Sequence, residues 1–565
     1  MRPFQPVSAR TNRDVAHARH TDAAFAWLAG ALVFLFRLAS LRDLTNDHYM
    51  HLAWSQQVLL GDLPGRDFVD PGMPLQWAAS ALAQVVFAGP FSEMVLTTLM
   101  CGLAGVATYW VIARVTSSHV AAALGVFVAT AFVTRLYGYP KLLAPALLVF
   151  LLQWYADAPS RARQFWIACG IVVATLLRHD LGIDAIITTT LTLVLIHRRS
   201  LRDIVAALVW TGALTVLVAL PYILYVGWAE GVAEHVRRGL EFTKAEANQL
   251  EYGTPPFEWF SRGGAWLRED AVAALYYVSW SLPLAALVYI GFAWRTAPDR
   301  LPGAFAATVF LCTYLPVILR HPIDQRLPDM AVPFAIVGAI VAHGALSPAW
   351  RIASGAFLGV PARVVAAALG MVVALAAVAT IYSTARLGKF DEELDETGVK
   401  QGPAGVLHKV DELRQDASTW PWARFWPNSG GFPQAVPYLR ACTAQDDYVL
   451  LTWPSAEYFF YSQRKFASGL SMFLAPRAFI TDRDQAFIVD RLRQERPPIA
   501  LVNETLREQF TRAYPKVDDY IRANYRHSST YKHYDGADIA IAVRNDLRPT
   551  TTFGDANWPC GFTPR

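Results

Sequence analysis

The stretch LRDLTNDHYMHLAWSQQVLLGDLPGRDFVDPGMPLQW, Leu41–Trp77, carries five aspartates (Asp43, Asp47, Asp62, Asp67 and Asp70), two histidines and two arginines. It follows the apolar run Ala23–Ser40 and precedes another, Met73–Gly89. Charges at the margin of a bilayer are costly to place there and usually functional. The fold therefore turns on whether the chain recrosses the membrane just after this stretch or stays on one face of it.

The composition of the 565 residues, 54% hydrophobic and 17% charged, is too apolar for a soluble protein and too polar for a bare membrane bundle. A net charge of +4 gives little support to a nucleic-acid-binding function. A span needs about 17–25 mainly apolar residues. Candidates fall near 22–41, 91–113, 119–134, 142–157, 165–178, 181–196, 203–227, 271–293, 303–319, 331–346 and 363–384. If Met73–Gly89 does not cross, the compact loops with Arg114, Arg161, Arg163, Arg198, Arg199, Arg202, Arg295, Arg300, Arg351 and Arg363 all face the cytoplasm. That is the arrangement the positive-inside rule expects, and a crossing there would reverse it. The reading is a polytopic α-helical bundle of about 11 transmembrane helices with a cytoplasmic N-terminus, residues 1–21. Residues 22–390 form the membrane domain, with an outer-face loop at 41–90. The first run is longer than a signal-peptide core and lacks a cleavage site, so it reads as a retained span.

On the outer face, a helix is expected from Asp47 to Leu60, capped by Thr45 or Asn46 and ended by Gly61. Its Met50, Leu52, Ala53, Trp54, Val58 and Leu59 suit a helix lying on the bilayer interface. Asp47 in the first turn is stabilised as a carboxylate by the helix N-terminus and can take a proton from an incoming hydroxyl. Asp47 and His51, at i and i+4, are also spaced to touch one divalent metal ion; a solvated helix face is the other reading. GDLPGRDFVDPGMPL is rich in turn residues that present Arg66, Asp67 and Asp70, either to a substrate or merely to hold a bend. Arg178, Arg320 and Arg326 sit at outer span ends, where a lipid phosphate would lie. Local pairing of Arg178 with Asp180, and of Arg326 with Asp324 or Asp329, is the alternative. His179 and Asp180 form a further pair able to carry a proton or orient a loop.

Residues 391–565 read as a soluble α/β domain on the outer side. YVLLTW, PIALVN and DIAIAVR are expected strands, and RDQAFIVDRLRQER and YPKVDDYIRANY alternate with them at helical period. Neither a GxGxxG nor a P-loop is present. Of five cysteines, Cys101, Cys169 and Cys312 lie in apolar runs. Cys442 and Cys560 are the candidate disulfide pair, to form if the domain is periplasmic.

An aspartate just after the first span, followed by Y…A…LL.G..P.RDF…..PL..W, resembles the GT-C membrane glycosyltransferases. More narrowly, it is similar to the protein O-mannosyltransferase and lipid A aminoarabinose transferase type. The resemblance covers about the first 385 residues. It implies a catalytic carboxylate at Asp47, a donor sugar on a polyprenyl phosphate, and transfer to a glycan, lipid or protein acceptor at the outer face of the inner membrane. Where that family often has a second acidic residue, this chain has YGYPKLL, and Lys141 is placed to face the donor phosphate. The rival class is a transporter or lipid-linked-glycan flippase, which would place its charges near the midplane of paired repeats.

Overall fold

The computed structural model describes residues 12–42, 44, 46–70, 72–87, 89–132, 135–247, 254–258, 261, 263–264, 266–296, 298–320, 326–346, 362–418, 432–474 and 479–564. In chain order the helices are α1 (Asn12–Ser40), α2 (Asn46–Leu59), α3 (Pro74–Val86), α4 (Pro90–Thr116), α5 (His119–Phe132), α6 (Pro140–Asp157) and α7 (Arg161–Leu177). They continue with α8 (His179–His197), α9 (Leu201–Ala229), α10 (Val232–Ala247), α11 (Arg268–Thr296), α12 (Leu301–Arg320) and α13 (Ala331–Leu346), then a last membrane helix, Ala362–Leu387.

Among the described residues, nine helices are long and apolar enough to cross a membrane. The two other expected spans are α5, with 14 residues, and α7, with 17. At 1.5 Å per residue α5 rises about 21 Å, less than the roughly 30 Å apolar core of a bilayer. It lies packed on α4 and α13 instead of standing alone in lipid. Helix α3, with 13 residues, is shorter still and packs on α2, α4 and α7.

The bundle has two chemically different ends. At one, Arg114 pairs with Asp157 at 2.9 Å, Tyr155 meets His197 at 2.8 Å, and Arg198 lies 4.1 Å over Trp294. Arg161 lies 4.7 Å over Trp210 at that same end. The other end holds α2, the first residues of α6 and α8, α10, and the C-terminal domain.

That domain contains a five-stranded sheet in the order β2-β1-β3-β5-β4, formed by β1 (Tyr448–Leu451), β2 (Lys465–Phe466), β3 (Ile499–Asn503), β4 (Tyr525–Lys532) and β5 (Asp538–Arg544). The first three strands are parallel neighbours, and β5 is antiparallel to β3 and β4. The three strongly apolar runs become β1, β3 and β5, because a central strand buried on both faces needs apolar side chains throughout. Strand β3 is buried at every position. Strand β4 was not expected: YRHSSTYK is polar because it is an edge strand exposed along much of its length. A hairpin of β6 (Leu547–Phe553) and β7 (Trp558–Pro564) is likewise new, and Cys560 in β7 is disulfide-bonded to Cys442 at the end of the helix Phe432–Cys442.

The expectation that α2 lies on the bilayer surface is overturned. His48, Tyr49, His51, Leu52, Ala53, Trp54, Ser55, Gln56 and Gln57 are all buried. One face meets α3 and α4; the other enters the core of the C-terminal domain, beside Tyr438, Phe459, Phe460 and Phe466. The polar members are satisfied there. The Tyr49 hydroxyl lies 2.9 Å from that of Tyr461, and Gln56 Nε2 donates to the Phe459 carbonyl at 3.1 Å. A helix with apolar groups on every side is buried, not amphipathic, and α2 joins two units as a shared core. Gly61, at φ +95°, closes it as expected. Thr45 and the side chain of Asn46, the expected caps, lie outside the described residues.

Candidate functional site

Where these helix ends meet the C-terminal domain lies a cavity of about 1100 Å³. Asp47, Lys141, Arg178, Asp180 and Arg326 of the expected site residues line it, together with Arg135, His179, His235 and Asp329. Asp47 is half-buried in the first turn of α2. Among the described residues it makes no ion pair or hydrogen bond with another side chain.

The ring of α2 next to Asp47 is held from below. His51 Nδ1 lies 3.1 Å and His48 Nδ1 3.5 Å from Glu93 Oε1, while Ser80 Oγ donates to Glu93 Oε2 at 2.6 Å. Glu93 is fully buried in the first turn of α4. One carboxylate thus fastens α2 to α3 and α4. It also turns His51 inward, so the expected Asp47–His51 pair becomes His51–Glu93. Among the described residues no group of three or more His, Cys, Asp or Glu side chains is placed to hold a metal ion.

The cations differ in how far their charge is already matched. Arg178 makes a two-pronged bond to Asp180, at 2.9 and 2.6 Å. Lys141 Nζ sits 2.5 Å from Asp329 Oδ2. Arg326 is only 3.8 Å from the same oxygen, with its side chain 37% exposed. Arg135, which the sequence reading passed over within its own loop, donates to the Tyr137 hydroxyl at 3.0 Å. Arg320 ends α12, and its side chain lies outside the described residues.

Arg66, Asp67 and Asp70 do not line the cavity. Asp67 accepts from Arg66 and from the Leu63 amide, at 2.6 and 2.8 Å. Burial would raise its pKa, but these donors together bring it below the ordinary value. Asp70 accepts from the amides of Gly72 and Met73, at 2.8 and 2.9 Å, and so shapes the turn into α3. Gly72 has φ +95°, and a Cβ there would come within 2.5 Å of His179 Nδ1, so this turn is built against the cavity wall.

On α10, His235 Nδ1 lies 2.6 Å from Glu230 Oε1, and its Nε2 is 3.4 Å from the Tyr222 hydroxyl. Burial would lower its pKa, but the bond to Glu230 carries it above the ordinary value. Sequence reasoning missed His235 and Glu93. The second had a signal, since it is a lone carboxylate in an apolar run; the first had none, because only the fold brings α10 to the cavity.

No family model matches the chain, and no curated protein matches it. Among solved structures it is similar to ArnT from Cupriavidus metallidurans bound to undecaprenyl phosphate, with a TM-score of 0.48 and 14% identity, over 91% of this chain and 97% of that one. It is similar also to the same ArnT in the apo state, with a TM-score of 0.47 and 14% identity, over 93% of this chain and 98% of that one.

Proposed function

We propose that this protein is a multi-pass glycosyltransferase of the inner membrane that moves a sugar from a polyprenyl-phosphate carrier to an acceptor hydroxyl at the periplasmic face. Asp47 takes the proton of the acceptor hydroxyl as its oxygen attacks the anomeric carbon from the side opposite the phosphate. The bond from that carbon to the phosphate oxygen breaks, its electron pair leaves with the polyprenyl phosphate, and the anomeric configuration inverts. Among the described residues Arg326 and Arg135 have the most charge left to offer the departing phosphate, and Lys141, paired with Asp329, lines the same cavity. Arg178, already matched by Asp180, orients that wall.

The observation that carries this reading is that a carboxylate without an ion-pair partner among the described residues shares one cavity with several cations, at the end of the bundle that bears the soluble domain. A transporter would need its charged site near the midplane, in broken helices. The test is turnover of purified Asp47→Asn with a panel of polyprenyl-phosphate sugars and cell-envelope acceptors, read by mass spectrometry. The variant keeps the shape but cannot accept the proton, so turnover falls by about two to four orders of magnitude. Normal turnover in Asp47→Asn, or movement of the intact lipid-linked sugar across the bilayer without transfer, defeats the reading.

A further inference from the structure

The helix Gly402–Ser418, GPAGVLHKVDELRQDAS, turns a charged side inward and an apolar side outward. Leu407 and Val410 are 65% and 54% exposed, and Val406 is exposed beside them, whereas Lys409, at 5%, and Asp416 are buried. At 3.6 residues per turn Val406, Leu407, Val410 and Arg414 share one side, and Lys409, Glu412, Leu413 and Asp416 share another. The rotation is fixed from the inner side. Leu413 packs on the core of the C-terminal domain, and Lys409 Nζ is held by Glu412 at 3.1 Å. A helix that faces water shows the reverse pattern, with its apolar stripe turned to the core.

The place of this helix in the chain identifies what covers the stripe. The last membrane helix stops at Leu387, and the short helix Phe390–Glu396 follows at once against the end of α1. Glu393 Oε1 lies 2.7 Å from Arg37 Nη1, Glu396 Oε1 lies 3.0 Å from Arg42 Nε, and the Phe390 ring stacks on Phe36 at 5.2 Å. The helix Gly402–Ser418 comes next and also lies beside α1. It therefore sits where two spans leave the bilayer. Both spans carry exposed apolar rows that run toward this end, Leu28, Leu32 and Leu35 on α1 and Leu375, Val378 and Tyr382 on the last membrane helix. Arg414 adds a charge to the outward side. It is exposed and has no ion-pair partner among the described residues, so its stem can lie along apolar groups while its guanidinium meets a lipid phosphate.

We propose that the helix Gly402–Ser418 lies on the bilayer leaflet at the cavity end of the bundle, with Val406, Leu407 and Val410 at the boundary of headgroups and acyl chains and Arg414 among the phosphates. It is the surface-lying helix that the composition of α2 suggested and that α2 is not. The C-terminal domain is thereby tied to the lipid surface as well as to the spans, which sets the height of its cavity wall above the bilayer. This contact does not rest on the glycosyl-transfer reading.

Photocrosslinking of the full-length protein in the membranes of the expressing cells tests this. The photoreactive residue p-benzoylphenylalanine is placed at Leu407, at Val410 or at His408, one per variant, and the products are read by intact mass and peptide mapping. His408 is exposed and stands about 160° round the helix from Val410. All three positions face away from the core, and thermal unfolding matched to the parent shows each variant to be folded. The Leu407 and Val410 variants should carry phospholipid adducts at about ten times the level of the His408 variant. The proposal falls if neither carries a lipid adduct, if their products are crosslinks to a second copy or within the chain alone, or if the His408 variant is labelled by lipid equally. Turnover of the Asp47→Asn variant decides the glycosyl-transfer reading separately, because this helix takes no part in that step.

Discussion

Arg178 and Arg326 look alike in the sequence, each a lone arginine at a span end with a carboxylate close by. The structure separates them: Asp180 takes two of the Arg178 donors, whereas Arg326 has one distant contact to an aspartate that Lys141 already holds. A guanidinium whose charge is matched gains little from a new anion, and one whose charge is spare gains much. Arg326→Ala should therefore weaken binding of a polyprenyl phosphate about tenfold or more, the worth of a charge-assisted hydrogen bond, with little change in the melting temperature. Arg178→Ala should act chiefly on stability, because it leaves Asp180 without its partner. Titration of farnesyl phosphate alongside thermal unfolding checks both, and equal effects of the two substitutions on binding would contradict the distinction.

Elements of the C-terminal domain hold the cavity wall through a few buried groups. Glu495, at the end of the helix Asp482–Glu495, accepts from the Ser468 amide at 2.6 Å and from Arg491 Nε at 2.8 Å. Burial pushes its pKa up to about 7, against the opposing pull of Arg491. Because the folded value lies above the unfolded one near 4.5, the folded chain holds a proton that the unfolded chain has released. Stability from this group is full below about pH 4.5 and is lost as pH rises through about 7. Its size is on the order of 3 kcal/mol. Melting of the full-length protein should therefore fall between pH 5 and 8 in the parent and less steeply in Glu495→Gln; parallel pH profiles would show that Glu495 is not the group responsible. The disulfide acts on another part of the same domain. It closes a separation of 118 residues between Cys442 and Cys560, which the chain-entropy model values at about 4–5 kcal/mol. Cys560→Ser should lower domain stability by that order, and an unchanged unfolding curve would contradict it.

At the scale of the molecule, two ends of one bundle do different work. Loops with Arg114, Arg161 and Arg198 gather opposite the end that carries α2, the cavity and the C-terminal domain. With the basic end in the cytoplasm, a reporter active only outside the cytoplasm should be active when fused after Gly398 and silent when fused after Arg199. The reverse pattern would turn the cavity toward the cytoplasm and remove the periplasmic reading of its chemistry.

By itself the sequence determined what local composition controls. The apolar runs had to become helices buried in lipid or in each other, because a bilayer leaves backbone groups no other partner. Likewise YVLLTW, PIALVN and DIAIAVR had to be inner strands, and Asp47 had to open a helix at the end of a span. Tertiary structure alone decided what depends on a distant partner. The residues of α2 suit a membrane surface as well as a protein core, and it is α3, α4 and the C-terminal domain, some 400 positions away, that bury them, as in the bond from Tyr49 to Tyr461. Arg66, Asp67 and Asp70 resembled site residues until their own loop was seen to use them. His235 reaches the cavity, and Glu93 acts on it through α2, by packing between elements apart in the chain. Periodicity reports which face of an element is apolar; it carries no information about which other element that face will meet.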